Sequence, residues 1–285
     1  MLTRRTLVAA LVAAPLAACT RTSPTAHPLR VIGNRLFVDA LVNGHPVEAL
    51  LDSGAEMSLA DRAAADMLGL AGGQSVTARG SGAGTTQAAI VEGVAIEAAG
   101  VRLIDRSVAV IDLADVGRRL IGRPLPFIVG RDLFDAARLF IDIEGGVLRA
   151  VDRAVTPPGV QLPLQTAHGI ETMPVAVEGE PAWAEFDLGN GSEVSVSRTY
   201  ARKLGLDAPE RLTGRKSGGG IGGAVERDTT TLRTLTVAGV TFHDVPATID
   251  DNANAGDVNV GVSILRRFHI TTDYAQHAIW LSPRR

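Results

Sequence analysis

The sequence predicts a mainly β protein built as two similar lobes related by a pseudo-twofold axis. Three observations predict it. Short runs of alternating apolar and polar residues end repeatedly in turn glycines, as at Asn43-Gly44. One order of landmarks occurs twice along the chain. The composition, 31 glycines and only 4% aromatic residues among 285, suits many tight turns and close packing of small side chains. At 46% hydrophobic content, a chain of this length has apolar material for one or two cores.

Residues 1–18 read as an export signal and stand outside the fold. Arg4-Arg5 form its charged region, and Thr6 to Leu16 is an apolar stretch too short to span a bilayer. Leu16-Ala17-Ala18-Cys19 resembles a lipobox, which implies a lipid on Cys19 and a signal peptide of the lipoprotein type. The plainer alternative is a secretory signal with an incidental cysteine. Thr3 to Leu7 also resembles a twin-arginine signal. Cys19 is the only cysteine, so no internal disulfide is available. Thr20 follows it, where an aspartate would resemble inner-membrane retention. The expectation is therefore an exported lipoprotein on the periplasmic side, anchored in the outer membrane. Residues 19–30 read as a flexible Thr/Ser/Pro-containing tether.

The two lobes are read as 31–152 and 166–285, with 153–165, around Thr156-Pro157-Pro158-Gly159, as the linker. Each lobe opens with a strand-like run ending in a turn glycine, Arg35 to Gly44 and Met173 to Gly179. In each, an aspartate stands eight positions beyond that glycine: Asp52 after Gly44, Asp187 after Gly179. A hairpin's second strand thus carries each aspartate out at its end. A helix is expected next in each copy, Leu59 to Leu70 and Ser197 to Leu206. Ser58 and Ser197 are the expected N-caps, and Gly69 and Gly205 the stops. Glycine-rich patches follow, Gly80-Ser81-Gly82-Ala83-Gly84 and Gly218 to Gly223. They read as hairpins able to lie over a cleft between the copies, or as ordinary surface turns. Ala99-Gly100-Val101 is matched by Ala238-Gly239-Val240, and Ile128-Val129-Gly130 by Asn259-Val260-Gly261. Each copy closes on a short hairpin, Ile141 to Val151 and Thr271 to Leu281.

A duplicated chain that presents one carboxylate twice can bring the two together across its axis. Two carboxylates in contact cannot both ionise cheaply; they share a proton and can activate a water. With the landmarks in place, the chain resembles the retropepsin-like and pepsin-like aspartic proteases over both halves, from about Arg35 to Leu281. The specific parts are Asp52-Ser53-Gly54, with Ala55 behind it, and the apolar-apolar-glycine of Ile128-Val129-Gly130. The resemblance implies a two-lobed acid-protease fold, each lobe a retropepsin-like β-barrel with one short helix. It implies an aspartic endopeptidase with Asp52 and Asp187 catalytic, Ser53, Gly54 and Gly189 supporting, and no metal or cofactor. It implies substrate backbone held by main-chain groups of the flap, Gly80, Ser81, Gly82 and Gly84. The partners so implied are a peptide or protein substrate and, through Cys19, a membrane. One chain supplies both aspartates, so a monomer is expected.

The chain departs from that pattern in its second copy. Leu188 stands where the family has a Thr or Ser whose hydroxyl bonds to the other lobe. Asp52 to Leu70 is 18 steps and Asp187 to Leu206 is 19, so Gly191-Ser192 adds a residue. A reshaped second loop, with Asp187 off the dyad axis, is the expectation. The alternative to an enzyme is a weak or inactive peptide-binding lipoprotein of the same fold.

Other chemistries find little support. A net charge of -3 gives no electrostatic case for nucleic acid. Neither glycine patch leads from a strand into a helix through Gly-Lys-Ser/Thr, which speaks against a phosphate loop, and no serine sits in a Gly-x-Ser-x-Gly elbow. The six histidines show no metal spacing. Asp250 to Asp257 has its glycine one place late for a calcium loop and reads as a polar loop. Asp142 and Asp273 read as strand-end residues, and Trp183 and Trp280 as packing.

Overall fold

The computed structural model describes residues 25–252 and 255–284. The export signal, the lipobox with Cys19 and the first part of the tether lie outside them. Three sheets make up the fold. Two are eight-stranded and belong one to each lobe; the third is six-stranded and shared.

In the first lobe the strands run in the order 30–32, 35–42, 45–51, 127–129, 59–61, 101–111, 85–98 and 74–79. In the second they run 165–167, 170–177, 180–186, 258–260, 194–197, 240–250, 225–237 and 212–218. The order is the same, strand for strand. Each sheet folds back on itself, Arg35–Val42 pairing with Thr85–Ala98 and Ile170–Val177 with Val225–Val237. The opening hairpins turn through Asn43-Gly44 and Glu178-Gly179, all four at positive φ (49°, 82°, 54° and 87°). Such turns match the twist of their strands and fix the register. Along Arg35–Val42 the residues Val38, Ala40 and Val42 point inward, the period-two pattern of a half-buried strand.

The shared sheet has the order 27–28, 147–150, 139–142, 268–273, 278–283, 160–163. Its middle is the antiparallel pairing of Leu139–Asp142 with Phe268–Asp273, one strand from each lobe. The two closing hairpins thus meet back to back on the pseudo-twofold axis. The outer strands correct two sequence expectations. His27–Pro28, read as tether, pairs with Val147 and Leu148, and Leu29 behind it is buried. Val160–Pro163, read as linker, pairs with Ala278–Leu281. Both are short, contain a proline and lie at sheet edges, where a missing N–H breaks no ladder. Their strand character was hidden for the same reason.

The expected helices are only partly formed. Arg198–Lys203 is helical, capped by Ser197, whose hydroxyl accepts from the Tyr200 N–H at 3.2 Å. Its counterpart reduces to a strand, Leu59–Asp61, and one 3-10 turn, Arg62–Ala64. Ser58 is not a cap. It is fully buried, its hydroxyl accepts from Gly130 N–H at 3.1 Å, and its own N–H donates to Asp132 at 2.6 Å. Gly69 and Gly205 do end their segments, both at φ +65°. Each lobe also holds a second short helix after its apolar-apolar-glycine, Arg131–Ala136 and Val262–Leu265. Among the described residues, the first lobe alone adds a helical segment over 114–121.

One apolar core runs through both lobes. A second, smaller one exists only in the first lobe, where Phe37, Leu50, Ala109, Ile111 and Ile128 lie under Leu113, Val116 and Leu125. The strand pairings place Thr172, Glu185, Thr248, Asp250 and Asn259 at the equivalent positions of the second lobe. One face of one barrel is therefore apolar, and the same face of its twin polar. Between the lobes, fully buried Asp273 receives Arg138 at 2.9 Å and Arg153 at 3.1 Å. Asp142 pairs with Arg284. Both aspartates are engaged as structural ion-pair partners.

Candidate active site

Asp52 and Asp187 leave the ends of two equivalent strands. Leu51 pairs in parallel with Val129 and Phe186 with Val260. The next N–H groups continue that pairing, Asp52 to Val129 O at 3.0 Å and Asp187 to Val260 O at 3.1 Å. Each loop is then anchored from below, Ala55 O by the Arg131 N–H and Asn190 O by the Val262 N–H, both at 2.9 Å. Gly130 and Gly261 make room for this. A Cβ at Gly130 would stand 3.0 Å from Ala55 O, and one at Gly261 would strike Asn190.

The loops meet face to face. A Cβ on Gly54 would lie 3.0 Å from Asp187 Oδ1, and one on Gly189 would collide with the Asp52 carboxyl. Each carboxyl therefore rests on the glycine that follows the other aspartate. Within its own loop each accepts main-chain N–H groups. Gly54 donates to Asp52 Oδ1 at 2.9 Å; Gly189 and Asn190 donate to Asp187 Oδ1 at 2.9 and 3.0 Å.

Ser53 ties the loops together. Its buried hydroxyl donates to Phe186 O at 2.8 Å and accepts from Leu188 N–H at 2.9 Å. Leu188 offers no hydroxyl in return; its side chain is fully buried in the core. Asp187 nonetheless leaves its strand at the same register as Asp52 and lies against Gly54 of the other loop. The extra residue is absorbed beyond the aspartate, where Asn190 Oδ1 accepts from the Ser192 N–H at 2.8 Å and Asn190 Nδ2 donates to Glu193 O at 3.2 Å. Gly191 packs against Asn34 O at the turn so formed.

Burial is the main force on the pair. It pushes the Asp52 carboxyl up, with the charge of Asp187 adding to it, to about 7. The N–H groups of Gly54 and Ala55 and the charge of Arg35 oppose that rise. Asp187 is also raised by burial, against the pull of Asn259, Asn190, Gly189 and Arg35. Arg35 is itself buried, its guanidinium donating to Leu120 O at 2.9 Å and Gly33 O at 3.1 Å. Desolvation lowers its pKa, and the two aspartate charges counter that. The arrangement can hold one proton between two carboxyls at near-neutral pH, with a cation nearby to offset the remaining charge.

The two glycine patches are hairpin tips, and they touch. Gly82 N–H donates to Ile221 O and Gly84 N–H to Gly222 O, both at 2.9 Å. Ser81 Oγ accepts from Gly220 N–H at 2.9 Å, and Ser81 O from Arg227 at 3.0 Å. Only glycine allows this approach, since a Cβ on Gly80 would stand 2.8 Å from that of Ile221. Arg119, from the first lobe's helical segment, donates to Gly218 O and Gly219 O at 3.2 and 2.7 Å. Ile221 packs on the first lobe's smaller apolar core. The second hairpin thus reaches across the lobe boundary and is clamped there.

Sequence reasoning missed Arg35, Glu185 and Asn259. No motif marks them. Glu185 and Asn259 could have been found by aligning the copies, because they replace Leu50 and Ile128 at paired strand positions. In the Asp250–Asp257 loop, Asp250 pairs with Arg227 and Asp251 with Arg198. Among the described residues no group of three or more His, Cys, Asp or Glu side chains is placed to hold a metal ion.

No curated protein matches the chain. A family model for aspartyl proteases matches it twice, over residues 38–131 and 173–264, one match per lobe and together more than half of the chain. The matches begin on the opening hairpins and end on the helices under each aspartate loop. The chain belongs to the aspartyl protease family, as a duplicated, retropepsin-like member with both lobes in one polypeptide.

Proposed function

We propose that the protein is an aspartic endopeptidase of the cell envelope that hydrolyses peptide bonds with a water held between Asp52 and Asp187. The observation that carries this reading is the reciprocal seating of each carboxyl on the other loop's glycine, which makes the pair one titrating unit. In the active form one carboxyl is ionised and one protonated. The ionised one takes a proton from the water as its oxygen attacks the amide carbon. The protonated one gives its proton to the carbonyl oxygen, and a tetrahedral diol results. On collapse the C–N bond breaks and the leaving nitrogen takes up a proton from the pair. A bound substrate would take over the Gly82 and Gly84 N–H groups now bonded to the second hairpin. Anchorage through a lipid on Cys19 would set the enzyme on the periplasmic side of the outer membrane, acting as a monomer.

Peptide cleavage followed over a pH series tests the chemistry, with wild type beside Asp52→Ala and Asp187→Ala. Turnover by wild type that both substitutions abolish, and that declines as pH passes about 7, is the expected outcome. Wild type that binds peptides without cutting them would replace this reading with that of a binding lipoprotein. Anchorage is tested separately: Cys19→Ala moves the protein from the membrane to the soluble fraction.

A further inference from the structure

The two aspartates sit in matched loops but not in matched surroundings. Each draws on two main-chain N–H groups, Gly54 and Ala55 for Asp52, Gly189 and Asn190 for Asp187. Both carboxyls therefore have main-chain donors. Asp187 has a side-chain donor as well, Asn259, whose Nδ2 donates to Asp187 Oδ2 at 2.8 Å. The same nitrogen donates to Glu185 Oε2 at 2.9 Å, and Asn259 Oδ1 accepts from Asn190 Nδ2 at 2.7 Å. Three partners therefore fix the amide. Turning it over would set its oxygen against two carboxyl oxygens and its NH2 against that of Asn190. Glu185 is held in turn by the Gly256 N–H at 3.2 Å. The equivalent positions beside Asp52 are Ile128 and Leu50, which can donate nothing.

Resting on the endopeptidase reading above, we propose that Asn259, oriented by Glu185, is a positioning residue that makes Asp187 the ionised member of the pair and leaves the shared proton on Asp52. Asp187 is then the base that takes the water's proton, and Asp52 the acid that protonates the carbonyl oxygen. The groups facing Asp187 are Asp52 from the other loop, Arg35 from the opening strand, Glu185 from its own strand and Asn259 from the neighbouring one. Glu185 faces Asp187 and Asp250. Its negative charge opposes ionisation of Asp187, and the Asn259 amide between them offsets that opposition. The directions of the pKa shifts agree. The charge of Asp187 is among the forces that raise Asp52, and Asn259 leads those that hold Asp187 down.

A donor to ionised Asp187 stabilises the singly and doubly ionised pair alike. It therefore lowers the first dissociation of the pair and leaves the second in place. The test compares Glu185→Leu with Glu185→Leu/Asn259→Ile. The double variant places the first lobe's own Leu50–Ile128 pair at these strand positions, and urea unfolding beside the single variant checks that it folds. In the peptide-cleavage pH profile, the acid limb of the double variant is expected to lie about one pH unit or more above that of the single one, the alkaline limb unmoved. Equal loss of kcat at every pH with both limbs fixed would reduce Asn259 to a structural role and overturn the proposal. Carbon-13 titration of the aspartate carboxyls in the same proteins, assigned with Asp52→Asn and Asp187→Asn, needs no turnover. Asp187 ionising first in wild type is the expected order; Asp52 ionising first overturns the proposal. Absence of cleavage alone would sink the endopeptidase reading and leave this order still decided by the titration.

Discussion

Replacing Asp52 by Asn should stabilise the protein, and only above a certain pH. Burial, with Asp187 beside it, raises the Asp52 carboxyl from 3.8 to about 7. Each unit corresponds to about 1.36 kcal/mol, so ionised Asp52 costs the folded state on the order of 4 kcal/mol. The folded state holds a proton that the unfolded chain has released. Stability contributed by this group is thus intact below the unfolded value of about 4, falls through the window between, and is lost above about 7. The amide of the variant has nothing to ionise. Urea unfolding of wild type and Asp52→Asn at about pH 4 and about pH 8 reads the difference. The variant should gain up to about 4 kcal/mol on wild type between the two, a shift in Tm on the order of 10 °C. A gain no greater at high pH than at low would mean that the carboxyls do not share a desolvated site, and the reasoning from their packing would fail.

Three other substitutions probe what holds the site. Ser53→Ala strands a buried carbonyl at Phe186 and a buried N–H at Leu188; a loss of about 2–4 kcal/mol in urea unfolding is expected, and a loss below about 1 would deny the bridge its role. Asp273→Asn leaves Arg138 buried and uncompensated between the lobes; about 3 kcal/mol should be lost, with both lobes unfolding at a lower midpoint. Gly82→Ala puts a Cβ 2.5 Å from Gly222 C, so the tips must part; faster amide exchange confined to 80–84 and 219–223 is the expected reading, and unchanged protection there would contradict it.

Much of the site was legible because duplication writes it twice. Gly44 and Gly179 stand at one distance from Asp52 and Asp187, and the observed hairpins hold that register. Ser53 was legible from its hydroxyl, but its bond to the Leu188 N–H was not, because main-chain donors leave no trace in residue type. Leu188 lacks the hydroxyl, yet as any residue would it keeps the N–H that Ser53 accepts. Ser58 misled because a serine before an apolar run suits a helix cap, whereas here it satisfies the Gly130 N–H. The edge strands at 27–28 and 160–163 were unreadable in two to four residues containing proline. Glu185 and Asn259 were hidden because a polar pair on a strand normally faces solvent, and these face an aspartate.

The unlike faces of the two barrels bear on what fusion makes possible. An assembly of identical subunits must place the same neighbours around both of its acids, and any substitution beside one is made beside the other. Once the halves are joined in a single polypeptide, each can mutate alone. Leucine and isoleucine have stayed, or arisen, on one side, and glutamate and asparagine on the other. The covalent link thus turns a symmetry that only an incoming ligand can break into a difference carried in the gene.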